Sequence, residues 1–266
     1  MRRATPLESL LFCLLAAMGL TARAVAPDPA AQGLAIAQEA DRRDRGWGDE
    51  RAMLEMVLRN RQGQESRRTL EIAKLETDGD GDRSLTVFDT PRDVAGTALL
   101  TYSHALAPDE QWLYLPALKR VKRIASANKS GPFVGSEFAY EDLGSNEVEK
   151  YEYRWLRDEE LDGRACFVVE QRPRYPHSGY TRRVVWLDRA IYQPVKVEFH
   201  DRKDALLKTL SVAGYVEHLG QYWRPTSMAM LNHQTGKSTT LAWREYRFRT
   251  GASARDFDRN ALKRAR

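Results

Sequence analysis

The chain has 266 residues, with 42 Lys and Arg against 37 Asp and Glu, for a formal net charge of +5. Charges of both signs are interleaved throughout, which excludes a nucleic-acid footprint, where cations cluster on one face. Two cysteines, Cys13 and Cys166, exclude a disulfide scaffold, and a chain of this length buries roughly 70–75% of its unfolded surface without one.

The first segment reads as a cleaved secretory leader. Arg2 and Arg3 precede an apolar run from Leu10 to Leu20, and Ala22-Arg23-Ala24 places small residues at a cleavage site. The run is short of the ~20 residues that span a bilayer. Residues 1–24 are thus expected to be removed, leaving 25–266 as one exported domain. Loss of Arg2, Arg3, Arg23 and Glu8 with the leader takes the net charge from +5 to +3. Cys166 then stands alone in Ala165-Cys166-Phe167-Val168-Val169 and is expected to be a small buried hydrophobe.

A helix is predicted between Pro29 and the Gly46-Trp47-Gly48 break, where Leu34, Ile36, Ala37 and Ala40 sit in Ala-rich sequence. Beyond Gly48 the period becomes two. Ala52, Leu54, Met56 and Leu58 alternate with Met53, Glu55, Val57 and Arg59. Leu70 and Ile72 alternate with Glu71 and Ala73, and Trp112 and Tyr114 point opposite to Leu113 and Leu115. Val195, Val197 and Phe199 alternate with Lys196, Glu198 and His200, and a further strand covers Leu241 to Phe248. Gly-containing turns at 61–64, 78–81, 161–163, 219–221 and 234–237 join neighbouring strands as antiparallel hairpins. The pattern predicts a large curled sheet or barrel. The Gly-, Ser- and Asn-rich stretch from Ala125 to Asn146 is the least regular part, and Asp256 to Arg264 is either a last helical turn or a frayed end.

Signals for chemistry are sparse. His104, His177, His200, His218 and His233 are scattered, and no Cys-x-x-Cys, Gly-x-Ser-x-Gly or phosphate-cradling loop is present. No catalytic residue, metal or cofactor is assigned, and the chain is not expected to be an enzyme. Asp78, Asp80, Asp82 and Asp89 have the spacing of a calcium loop, but Arg83 stands where such a loop needs glycine, so a solvated hairpin turn is expected. The basic stretch Lys119, Arg120, Lys122 and Arg123 admits two readings: a cationic outer face, or a charged rim on an apolar cavity. Met53, Met56, Met228 and Met230 suit either an irregular core or an irregular ligand.

The block Trp112-Leu113-Tyr114-Leu115-Pro116-Ala117-Leu118-Lys119-Arg120-Val121-Lys122-Arg123-Ile124, followed by Gly135-Ser136-Glu137-Phe138-Ala139-Tyr140-Glu141-Asp142-Leu143, resembles the outer-membrane lipoprotein-sorting protein family, which is LolA-like. Phe88-Asp89-Thr90-Pro91, Gly96 to Leu100 and Tyr192 to Phe199 extend the resemblance over most of the chain after the helix. One departure is Glu137, where the family commonly has Asp. The resemblance implies a mainly β fold: a strongly curved antiparallel sheet, or incomplete β-barrel, with a few helices plugging its mouth. It also implies a periplasmic carrier whose apolar concave face takes a lipid or lipoprotein acyl chains, working beside a membrane exporter of the resistance-nodulation-division type. An interaction or sensor module of the same fold, without cargo, is the other reading. On the carrier reading Leu54, Met56, Leu58, Trp112, Tyr114, Met228 and Met230 are the expected cavity residues. Lys119, Arg120, Lys122 and Arg123 form the expected basic rim, and Gly135, Ser136, Glu137, Phe138, Tyr140, Glu141 and Asp142 the loop motif. Tyr140, Glu141 and Asp142 are expected to anchor the loop to those cations, and the Ala125–Asn146 segment to trade contacts between empty and loaded states.

Overall fold

The computed structural model describes residues 28–264, so the expected leader lies outside the described residues. Helix α1 (Pro29–Arg43) starts where Asp28 accepts a hydrogen bond from the Ala30 amide at 3.1 Å, with proline at the first helical position. Arg42 and Arg43 in its last turn complement the helix dipole. No described helix is long and apolar enough to cross a membrane.

The chain then builds a meander of β1 (Asp49–Arg59), β2 (Glu65–Leu75), β3 (Arg83–Thr90), β4 (Ala98–Tyr102), β5 (Glu110–Leu115) and β6 (Arg120–Ile124). Residues 125–150 follow, carrying only short 3-10 turns. A second meander comprises β7 (Tyr151–Leu161), β8 (Arg164–Pro173), β9 (Arg182–Asp188), β10 (Pro194–His200) and β11 (Leu206–Ala213). A small hairpin of β12 (Val216–His218) and β13 (Tyr222–Arg224) precedes β14 (Ser227–Asn232), β15 (Ser238–Phe248) and the C-terminal helix α2 (Arg259–Arg264).

Thirteen strands form one sheet in the order β6-β5-β4-β3-β2-β1-β15-β14-β11-β10-β9-β8-β7. Its two edge strands, β6 and β7, are consecutive in the chain. The sheet is not closed, yet it curls strongly. Laid flat, β5 and β7 would stand about 50 Å apart at the usual strand spacing. Instead Lys150, at the entry to β7, is 2.8 Å from Asp109, at the entry to β5.

Period two assigns each strand one residue set per face. Leu54, Leu70, Phe88, Leu99 and Leu113 face inward and share a core with Val185, Phe199 and Met230 of the second meander. On the outer face Ala73, Ala98, Leu100 and Trp112 are covered by Phe257 and Leu262, both fully buried. The C-terminal segment is therefore docked rather than frayed, and burying two such side chains contributes about 1.5–3 kcal/mol each. Cys166 is buried on the outer side of β8 with Val168, Val184 and Trp186, where burial pushes its thiol pKa up.

Candidate functional site

The loop motif is a plug laid across the inner face. Pro132 and Ala139 form an isolated antiparallel bridge, and the Phe133 amide donates to the Phe138 carbonyl at 2.7 Å. Val134 and Gly135 turn the chain with φ of 46° and 80°, in the left-handed region that glycine enters without strain. Phe133 and Phe138 are buried in the inner core, with Phe133 5.5 Å from Phe88 and 5.8 Å from Tyr140 between ring centroids.

Five strands hold this plug through hydrogen bonds. Arg68 of β2 donates to the Val134 carbonyl at 2.6 Å, and Gln111 of β5 to the Tyr140 carbonyl at 2.8 Å. The Glu137 amide donates to Thr239 of β15 at 3.0 Å, and Asn232 of β14 donates to the Glu137 carboxylate at 2.8 Å. Lys208 of β11 donates both to the Glu137 carbonyl at 2.9 Å and to Asp142 at 2.7 Å. Ser136 is buried beside Phe138. The longer Glu137 thus spans to Asn232 while its backbone holds the turn.

The motif acids do not reach the basic stretch. Asp142 accepts from Lys208, Tyr180 and the Ala139 amide, and Glu141 accepts from Tyr175, Ser178 and the Gly179 amide. Burial, with Asp142 close by, pushes the Glu141 carboxyl up. Lys119, Arg120, Lys122 and Arg123 instead lie exposed at the turn into β6 and along that edge strand. Arg123 pairs with Glu110 at 2.8 Å; the other three have no carboxylate within 4 Å among the described residues. Cations on a bare edge oppose strand addition by another chain.

Trp112 and Tyr114 also belong elsewhere than on the concave face. They point outward beneath the C-terminal segment, where Trp112 meets Tyr102 edge-on at 5.1 Å and Arg259 lies 5.8 Å above its ring. Their neighbours Leu113 and Leu115 take the inward positions. Leu54, Met56 and Met230 are buried in the inner core and Leu58 packs against it; Met228, half-buried, and Met230 also border open space.

That open space is a cleft of about 1150 Å³. The plug leaves the β1–β5 half of the trough filled and the β8–β11 half open. Val169, Val185, Leu187, Val197, Phe199 and Leu210 wall it from the sheet side, and Ile36, Ala37 and Ala40 of α1 face them. The mouth is polar, with Asp41, Arg45, Glu76, Asp82 and Glu147. Asp82 is half-buried rather than free in a solvated turn. Burial, aided by Glu147 and Glu76, pushes its carboxyl up to about 6 against a hydrogen bond from the Thr77 amide. Among the described residues no group of three His, Cys, Asp or Glu side chains is placed to hold a metal ion.

Sequence reasoning missed the strand that carries the cleft. Val184, Val185, Trp186 and Leu187 are all apolar because both faces of β9 are covered, so no alternation marks its inner side.

A family model described as "Uncharacterized protein" matches residues 80–264. The crystal structure of an outer membrane lipoprotein-sorting protein domain from Vibrio parahaemolyticus is similar at 59% identity and a TM-score of 0.87, over 88% of this chain and 99% of that one. The chain belongs to the outer-membrane lipoprotein-sorting protein family. A DUF1329 family protein from Desulfovibrio piger is similar to this sorting-family chain at 30% identity and a TM-score of 0.84, over 89% and 100% of the two chains. A LolA superfamily protein from Nitrosomonas europaea, at 19% identity and a TM-score of 0.69 over 86% and 98%, shares the fold. No functionally curated protein matches the sequence.

Proposed function

We propose that this sorting-family chain is a periplasmic carrier, exported by the leader at residues 1–24, that shelters the acyl chains of a lipid or lipoprotein and hands them on. The observation that carries this reading is the half-open trough: an apolar wall from Val169 to Leu210 faces α1 across a cleft of about 1150 Å³. Burying each methylene there contributes about 0.8 kcal/mol, so even one chain seated along the wall binds appreciably. The name of the Vibrio parahaemolyticus relative supports an envelope location and a lipidated cargo. A membrane exporter of the resistance-nodulation-division type is the proposed partner for transfer. The reading is one of binding rather than catalysis.

The test is mass spectrometry of organic extracts from protein purified without detergent. Recovery of acyl lipid, lost in a Met228→Glu variant that keeps the wild-type circular dichroism, is the expected result. The other reading, an interaction or sensor module without cargo, draws on the filled β1–β5 half under Phe133 and Phe138. It requires a lipid-free extract from both proteins, and that result would sink the carrier.

A further inference from the structure

Arg183 stands in the cleft with no carboxylate in contact among the described residues. Arg183 of β9 points to the inner face, in register with Gln171 of β8 and Phe199 of β10. Its guanidinium lies 4.1 Å over the Tyr151 ring. Its polar partners are neutral amides: Nη2 donates to Asn146 at 2.7 Å and to Gln171. Among the described residues it forms no ion pair, its hydrogen bonds going to Asn146 and Gln171, and its buried Nε has no partner. Nη1 makes no hydrogen bond there either. An arginine keeps its charge at any relevant pH, and a shielded charge with neutral partners leaves a deficit that an anion would fill.

The acids of the loop motif are engaged elsewhere. Asp142 accepts from Lys208, Tyr180 and the Ala139 amide, and Glu141 is satisfied by Tyr175, Ser178 and the Gly179 amide. A second orphan sits in the same cluster. Tyr153, whose ring centroid is 6.3 Å from that of Tyr151, has a buried hydroxyl with no partner among the described residues.

The position of Arg183 along its strand gives the site a direction. Val185 and Leu187 follow at two-residue steps on the same face, and Val197 and Phe199 continue the apolar surface on β10. A cation therefore stands at one end of a hydrocarbon wall.

We propose that the cleft binds an amphiphile with one anionic head group, a carboxylate or a phosphate, held by Arg183, with its tail along Val185, Leu187, Val197 and Phe199. This deepens the carrier reading and rests on it. Charge-assisted hydrogen bonds to a guanidinium are roughly twice as strong as neutral ones, so an anionic head is favoured by about tenfold over a hydroxyl.

Displacement of a fluorescent fatty-acid probe from the delipidated full chain tests this with hexadecanoate, hexadecyl phosphate, hexadecanol and inorganic phosphate. The expected result is that at least one anionic amphiphile binds about tenfold more tightly than hexadecanol. Whichever of the two is tighter identifies the head group as acyl carboxylate or phosphate ester. Arg183→Gln should bring the anion-to-alcohol ratio to about one, and Arg183→Lys should retain a preference. If Arg183→Gln does not fold, the wild-type ratio and Arg183→Lys decide. Equal binding of alcohol and anions by the wild type overturns the head-group assignment and leaves the carrier standing. No binding of any amphiphile overturns both, and inorganic phosphate binding as tightly as its hexadecyl ester overturns the tail site.

Discussion

Lys208 and Asp142 form an ion pair of 2.7 Å in which the side chains are 4% and 7% exposed. The pair joins the loop motif to β11, and Lys208 also lies 5.1 Å over the ring of Phe199, a cleft-wall residue. One buried contact thus fixes the plug and braces the wall. Removing one partner leaves the other charge buried and unpaired, at a cost of about 3–5 kcal/mol. Lys208→Met and Asp142→Leu should each lower Tm by roughly 6–20 °C, and the double variant should recover a large part of the loss. Calorimetry of the four proteins checks this, and a double variant as unstable as the sum of the singles would contradict it.

Gly33 fixes how close α1 approaches the sheet. A Cβ there would lie 2.6 Å from the Trp155 nitrogen and 2.8 Å from Arg154 backbone atoms. Backbone on both sides has little room to yield, so Gly33→Ala should lift α1 off β7. The expected outcome is faster hydrogen exchange in α1 and in the outer amides of β7, and a wider cleft, since Ile36 and Ala37 form its far wall.

The outer cap is a separate element of stability. Phe257 is fully buried over Ala98, Leu100 and Trp112. Phe257→Ala should cost about 3–5 kcal/mol and shift the Trp112 emission to the red as water reaches the outer face. Lipid recovery should persist, because the cleft lies on the other side of the sheet.

Asp82 makes stability depend on pH. Its folded-state carboxyl is raised from 3.8 to about 6, so the folded state holds the proton more tightly than the unfolded chain does. The associated stability is present below about pH 4 and is lost as pH rises through 6. A shift of this size corresponds to about 3 kcal/mol at most, reduced by screening at a half-exposed mouth. Asp82→Asn should flatten the fall in unfolding free energy between pH 4 and 7, measured by urea titration at each pH.

Much of the β architecture is legible in local pattern. The alternation in Ala52–Leu58 and Val195–His200, with glycine turns between strands, is enough to lay out the meanders, and the Pro29 start and Gly46 break bracket α1. Parity also separates Trp112 and Tyr114 from Leu113 and Leu115. It does not say which pair faces inward, because that depends on Phe257 and Leu262 arriving from far along the chain. The motif acids show the same limit. Glu141 and Asp142 are charged residues close in sequence to Lys122 and Arg123, yet the curled sheet brings Lys208 and the 175–180 loop to them first. Arg183 carries no motif at all. Its significance comes from what is missing around its guanidinium, which only the fold reveals.

The order of strands gives the molecule a spine and a clasp. Within the sheet, the fan from β1 to β6 and the fan from β15 to β7 are hydrogen-bonded through a single ladder, Glu50–Arg59 against Ser238–Phe248. The far edges of both fans are joined by residues 125–150, which are buttoned to the first fan at Arg68 and Gln111 and to the second at Lys208 and Asn232. A book bound this way can widen only by flexing along its spine while the clasp slackens. The buttons on Lys208 and Asn232 therefore limit how far the apolar pages can part.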